Sequence, residues 1–255
     1  MSLPEKQTTS LATSTASDVF IRDKSLCNEL IGKLSFTAMT YFTVTGRMPT
    51  PGQTAVLDAC LVTLMEHGLT PSALATRLVY SSAPEAMQGA VAAGLAGVGS
   101  VFVGTVEGAA ALLARIAGAA DGDEEARKIA AEHRAARRAV PGFGHPLHKP
   151  DDPRPACIFR VAEEHGLAGR HTDALRALGA AVDAASGKHV TINATGAIAA
   201  ALADAGIPAE IMRGFAILAR CAGLVAHVRE EQQKPAMRAI WEAAERAVPY
   251  DGEKG

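Results

Sequence analysis

One short stretch of the chain concentrates reactive side chains: "RAVPGFGHPLHKPDDPRP", Arg138 to Pro155. Pro141, Gly142 and Gly144 dictate a turn around Phe143 that sets His145 beside backbone N–H groups, where an anion or a carbonyl oxygen binds. The imidazole there is a donor to a carbonyl. Arg154 follows Asp152 and Pro153; its planar guanidinium matches a carboxylate, and the proline stiffens the approach to it. On composition alone, the same residues also fit a Pro/Gly-rich surface loop with a solvated arginine.

The segments that must position this loop read as helices. Ala and Leu dominate after Asp23, β-branched alternation is scarce, and Gly/Pro punctuation recurs at helix-length intervals, so the fold class is all-α. Residues 23–44 read as one apolar-rich helical segment stopped by "TGRMPTPG", with Pro51 near the start of a helix ending about Glu66. Further helices are expected near 155–165 and 172–186, with a final pair over 208–247. The polar, Ser/Thr-rich start, residues 1–22, reads as a mobile arm without a leader sequence.

Composition removes several function classes. A net charge of -2, with 4% aromatics and no basic stripe, gives no support for nucleic-acid binding. No apolar run reads as long enough to span a membrane. Cys27, Cys60, Cys157 and Cys221 are scattered without metal-ligand spacing, as expected of four small, buried, reduced thiols in a cytoplasmic protein.

The order of motifs narrows the reading. "PGFGHPLHKPDDPR" resembles the proline-glycine-aromatic-glycine-histidine loop ending in Asp-Pro-Arg of the citrate synthase superfamily. Upstream, "GKLSFTAMTYFTVTGRMPTP" and "LVTLMEHGLTPSALATRLV" are similar to its first helices and substrate-histidine helix; downstream, "FAILARCAGLVAHVREEQQKPAMR" is similar to its closing arginine helix. The likeness runs from about Ile21 to Arg238 and is nearest to the citryl-CoA lyase branch, which includes the lyase module of ATP-citrate lyase.

The resemblance implies a citrate synthase-like fold, with a large helical domain over 23–107 and 206–255 and a small one over 108–205 that carries the His145 loop. It implies a homodimer or higher homo-oligomer, with the cleft between the domains. His67 matches the ligand of the oxaloacetate end, and His145 the ligand of the oxygen at the carbon whose bond forms or breaks. Arg154 and Arg220 match the two carboxylate clamps; Lys234 stands where relatives place an arginine supplied across the dimer interface. Coenzyme A is implied as part of a thioester substrate, met by Pro141, Gly142, Phe143, Gly144 and Lys149, and no metal is implied.

Two positions depart from the pattern. Phe102 replaces the synthases' histidine that stabilises the acetyl-CoA enol, as it does in the ATP-citrate lyase branch. Thr195, in "TINATGA", replaces the aspartate that acts as base on the acetyl methyl or as acid to its carbanion. A threonine hydroxyl has no useful pKa near neutrality. Three classes follow: a lyase cleaving a citryl-CoA-type thioester or running the reverse condensation, an acyl-CoA enzyme with altered substrate, and a non-catalytic subunit that binds CoA or a carboxylate.

Overall fold

The computed structural model describes residues 7–99, 101 and 105–252. Helices carry the structure, as the all-α reading required. Local chemistry sets their starts. Ser35 caps α1 (Phe36–Thr45), and Gly46 ends it in the left-handed region at φ 73°. Thr50 and Gln53 form a capping box on α2 (Pro51–Met65), whose first residue is a proline. Proline also opens α3 (Pro71–Ser82) and α7 (Pro153–Glu164). The remaining helices are α4 (Met87–Ala96), α5 (Val106–Gly118), α6 (Gly122–Ala135), α8 (Arg170–Ser186), α9 (Ala194–Asp204), α10 (Met212–Gln233) and α11 (Met237–Ala247).

The N-terminal segment differs from its sequence reading. Instead of an arm followed by one long helical segment, Ala12–Ser14 (β1), Val19–Ile21 (β2) and Lys24–Ser25 (β3) form a small antiparallel sheet. The Asp18 carboxylate organises it by accepting from Val19 N–H and the Ser25 hydroxyl. Arg22 then ties the sheet to α1 by donating to the Thr43 carbonyl at 2.8 Å. A single π-helical turn at Leu26–Leu30 follows, and the chain breaks at Gly32, φ 74°, before Ser35 starts α1.

At the centre lies α9, in which Ala197 to Leu202 are completely buried. It is wrapped by α2, α5, α7 and α8. One apolar cluster runs from Tyr41 through α2, α5 to α9 and the first half of α10, so it is continuous across both expected domain boundaries. A second, smaller cluster joins Ala73, Val91, Leu224 and Val228 where α10 crosses α3 and α4. Small residues set these crossings: a Cβ on Gly223 would lie 2.0 Å from the Met65 carbonyl oxygen, so only glycine lets the end of α2 rest on α10.

Two expectations need correction. Residues 209–233 are long and apolar enough, by length and composition, to cross a membrane, contrary to the sequence reading. Yet Arg220, His227 and Glu231 are buried on this stretch against other helices, which is how a core helix sits. Nor are all four cysteines buried: Cys60 is, with its thiol pushed up to about 12 by burial, whereas Cys27 and Cys157 are exposed.

Candidate active site

The loop after α6 is stitched to the segment that enters α9. Gly144 N–H donates to Thr191 O at 2.8 Å, Asn193 N–H to Gly142 O at 3.0 Å, and Asn193 Nδ2 to Gly144 O at 2.9 Å. Gly142, at φ 90°, touches Gly196 so closely that a Cβ on Gly196 would approach Gly142 O to 2.6 Å. This close approach holds a cleft of about 610 Å³ open between the loop, α9, α10 and the end of α2. His67, Gly142, Phe143, Gly144, His145, Arg154, Thr195 and Arg220 all line it, and so does Pro141.

His145 is held differently from the sequence expectation. The backbone N–H groups of Leu147 and His148 do not await an anion; they donate to Nδ1 of His145 itself at 3.1 and 3.0 Å. Nδ1 is therefore the acceptor and Nε2 carries the proton. Burial, with the charge of Arg154 nearby, lowers the His145 pKa, so the ring at neutral pH is an uncharged Nε2–H donor. His67, on the exposed loop after α2, lies edge-on to it with ring centroids 5.8 Å apart. Partial desolvation at the cleft wall and the charge of Arg154 lower its pKa as well, although the residue as a whole is exposed.

Arg154 is anchored before any ligand arrives. Its Nε and Nη2 donate to the two oxygens of Asp152 at 2.8 and 2.7 Å, so that edge of the fork is taken and the rest of the guanidinium faces the cleft. Asp152, 4% exposed, also caps α7 and accepts Ala194 N–H at 3.0 Å. Burial alone would push the Asp152 carboxyl up, but the bonds from Arg154 and Ala194 outweigh it and hold it below 3.8. Such a carboxylate stabilises the fold fully above its unfolded pKa, and the contribution is lost as pH falls through the lower folded value. Asp152→Asn is expected to cost about 2–3 kcal/mol at pH 7 and to flatten the loss of stability below about pH 4, as read by urea unfolding across pH. An acid limb identical to wild type would contradict this assignment.

Arg220 is the most demanding group in the cleft. It is 3% exposed, and among the described residues its Nε and Nη1 are buried without a hydrogen-bond partner. Burial lowers its pKa, and Glu66 partly offsets that. Leaving charged donors unpaired is costly, so this guanidinium is built to receive an anion.

Thr195 sits in a hydroxyl chain with a fixed direction. Asn193 spends its Nδ2 on Gly144 O, which leaves its Oδ1 to accept Thr195 Oγ1 at 2.7 Å and Gly196 N–H at 3.2 Å. With its proton committed to Asn193, Thr195 accepts from Thr105 Oγ1 at 3.0 Å. The pair thus presents oxygen lone pairs to the cleft.

Other positions are not brought together. Lys149 and Lys234 are exposed and line no part of this cleft; Lys234 closes the C-terminus of α10. Phe102 lies outside the described residues. Sequence reasoning missed Asp152 as the anchor of Arg154, Asn193 as the orienter of Thr195, and His148, whose ring stacks on His145 at 4.3 Å. The i,i+3 spacing of the two histidines within one loop was a signal for the last.

The three histidines bring ring nitrogens within 4.8 Å of one another, a grouping that could in principle hold a metal ion. Two features oppose a cation. A metal on Nε2 of His145 would leave an Nδ1 proton facing two N–H donors, and Arg154 and Arg220 add positive charge to the same cleft. The site suits a carboxylate and a carbonyl oxygen.

Comparison with known proteins gives the family and the fold. The profile of the family "Citrate synthase, C-terminal domain" matches residues 8–241. A citrate synthase of Acidithiobacillus ferridurans is 26% identical over 207 residues, 78% of this chain and 52% of that protein. The chain spans about half the length of the curated relatives it matches. Among solved structures, the citryl-CoA lyase of Hydrogenobacter thermophilus superposes with a TM-score of 0.88 at 29% identity, covering 98% of this chain and 96% of that one. The ATP citrate lyase of Methanosaeta concilii in complex with (3S)-citryl-CoA superposes with a TM-score of 0.77 at 16% identity, covering 100% of this chain and 43% of that one.

Proposed function

Since the chain belongs to the citrate synthase family, we propose that it cleaves a citryl-CoA-type thioester to an acyl-CoA and a 2-oxo acid, acetyl-CoA and oxaloacetate in the simplest case, or runs the reverse condensation. The observation that carries the reading is the buried guanidinium of Arg220, whose Nε and Nη1 have no hydrogen-bond partner among the described residues, in the same cleft as Arg154 and two histidines. Two fixed cations suit the carboxylates of the oxo-acid half. Nε2–H of His145 is the donor to the oxygen that is a ketone in oxaloacetate and a hydroxyl in citryl-CoA. Cleavage breaks one carbon–carbon bond, takes the proton from that hydroxyl and returns a proton to the acyl-CoA carbon, so no redox partner is needed. Coenzyme A enters as substrate, with its phosphates near Lys149.

The direction of the hydroxyl chain favours a second reading. Because Thr195 gives its proton to Asn193, it offers an acceptor where the acyl group is expected. This supports an altered acyl substrate, or a subunit that binds without turnover. Incubation with a panel of CoA thioesters, citryl-CoA first, followed by mass spectrometry of the acyl-CoA and oxo-acid products, separates the three. Citryl-CoA cleavage supports the lyase, cleavage of another thioester alone supports the altered substrate, and ligand binding without products supports the subunit.

A homodimer is part of the proposal. No residue of α11 is buried within the chain, Trp241 is 54% exposed, and Lys234 is not among the described residues that line the cleft. Solution scattering is expected to give a dimer at micromolar concentration; a monomer with full activity would remove the shared-site role of Lys234.

A further inference from the structure

Glu66 stands at the end of α2, immediately before His67. One of its oxygens accepts the N–H groups of His67 and Gly68 at 2.7 and 2.6 Å. The other lies 2.9 Å from Nε2 of His227, which is 8% exposed on α10. Behind His227, Arg77 of α3 donates its Nε–H to Nδ1 at 3.0 Å and its Nη1 to Glu231 at 2.8 Å. Arg77 and Glu231 are each 3% exposed. Glu231 in turn accepts the Ser81 hydroxyl and the N–H groups of Ala236 and Met237, which open α11 beside Lys234.

This chain has only one consistent proton order. Arginine can only donate, so Nδ1 of His227 must accept and its Nε2 must carry the proton; that N–H lies 2.9 Å from Glu66 as a charge contact, not aligned as a hydrogen bond among the described residues. Glu66 then accepts two N–H groups on one oxygen and has the His227 N–H close to the other, surroundings that suit an ionised carboxylate and not an amide. A glutamine in its place would set its NH₂ against either the two backbone N–H groups or the His227 N–H. The crossing itself is built for the contact, because a Cβ at Gly223 would lie 3.0 Å from Glu66 Oε2.

We propose that Glu66 is the positioning residue of the His67 loop, and that the chain Glu66–His227–Arg77–Glu231 couples this loop to the turn that carries Lys234. The consequence for ligand binding rests on the reading of His67 as a carboxylate ligand; the coupling does not. The two elements meet one face of α10 at Gly223–His227 and at Glu231, two turns apart, and the buried chain makes their placement a single event.

Hydrogen exchange of backbone amides, resolved by NMR on the full chain without ligand, tests it. Glu66→Gln is expected to speed exchange of the His67 and Gly68 amides about tenfold or more, and to weaken oxaloacetate binding by a similar factor in calorimetry, with amides of α9 unchanged. His227→Phe keeps the ring but cuts the chain, and is expected to speed exchange at both His67–Gly68 and Ala236–Met237. Wild-type exchange at His67 and Gly68 in Glu66→Gln overturns the positioning role. Changes at only one end in His227→Phe overturn the coupling. If the wild-type chain binds no oxaloacetate, the functional reading fails while the exchange data still decide this one.

Discussion

Arg220→Met is expected to weaken oxaloacetate or citrate binding on the order of 10²- to 10³-fold, while the unliganded protein melts at the same temperature as wild type or higher. The two effects separate because, among the described residues, the Nε and Nη1 of the guanidinium are buried without hydrogen-bond partners and only the charge of Glu66 offsets its burial. Replacing an unpaired buried charge by an apolar side chain of similar length is neutral or stabilising to the empty fold. Removing one partner of a desolvated ion pair costs the complex about 2–5 kcal/mol, which sets the affinity loss. Calorimetry with oxaloacetate and a thermal melt with and without it measure both effects. Wild type should gain melting temperature with ligand and the variant should not. Undiminished affinity would reduce Arg220 to a structural cation.

Thr195→Asp is the second change with a large expected effect: turnover of citryl-CoA should rise about 10²-fold or more. Cleavage leaves an acyl-CoA enolate that must be protonated, and general acid catalysis by a placed side chain contributes about 10²- to 10⁴-fold. In the wild-type chain the Thr195 proton is committed to Asn193 Oδ1, so no acid is aimed at the enolate. An aspartate at the N-terminus of α9 would accept from the Thr105 hydroxyl, which now donates to Thr195. Steady-state kinetics with citryl-CoA decides the sign. A fall in turnover on a different thioester that wild type cleaves would assign Thr195 to reading that substrate, since a new carboxylate in a desolvated pocket repels what a hydroxyl accepted. No change on any thioester, together with an inert His145→Ala, would leave only a binding role.

The sequence by itself determined the helical class, most helix positions and the identity of the loop that carries the chemistry. Periodicity, proline at helix starts and glycine at helix ends are local signals, and they were legible for α2, α7, α8 and the α10–α11 pair. The motif order placed His67, His145, Arg154, Arg220 and Thr195, and all five meet in one cleft. The N-terminal sheet was not legible, because strands of two or three residues leave too short a pattern and are fixed by the Asp18 carboxylate and the Arg22 contact to α1.

Only the tertiary structure decided what each site residue has free to give. His145 looked like a neighbour of empty N–H groups; folding turned those groups onto its own Nδ1 and so chose Nε2–H as the donor. Arg154 looked like an open fork, and Asp152 occupies one edge of it. Arg220 looked like an ordinary helix cation, and burial with Nε and Nη1 unpaired among the described residues makes it the group that calls for an anion. A sequence gives the types of donors and acceptors in order along the chain. Which of them are already satisfied depends on groups far apart in sequence, and hydrogen-bond capacity is finite, so that count closes only when the chain has folded.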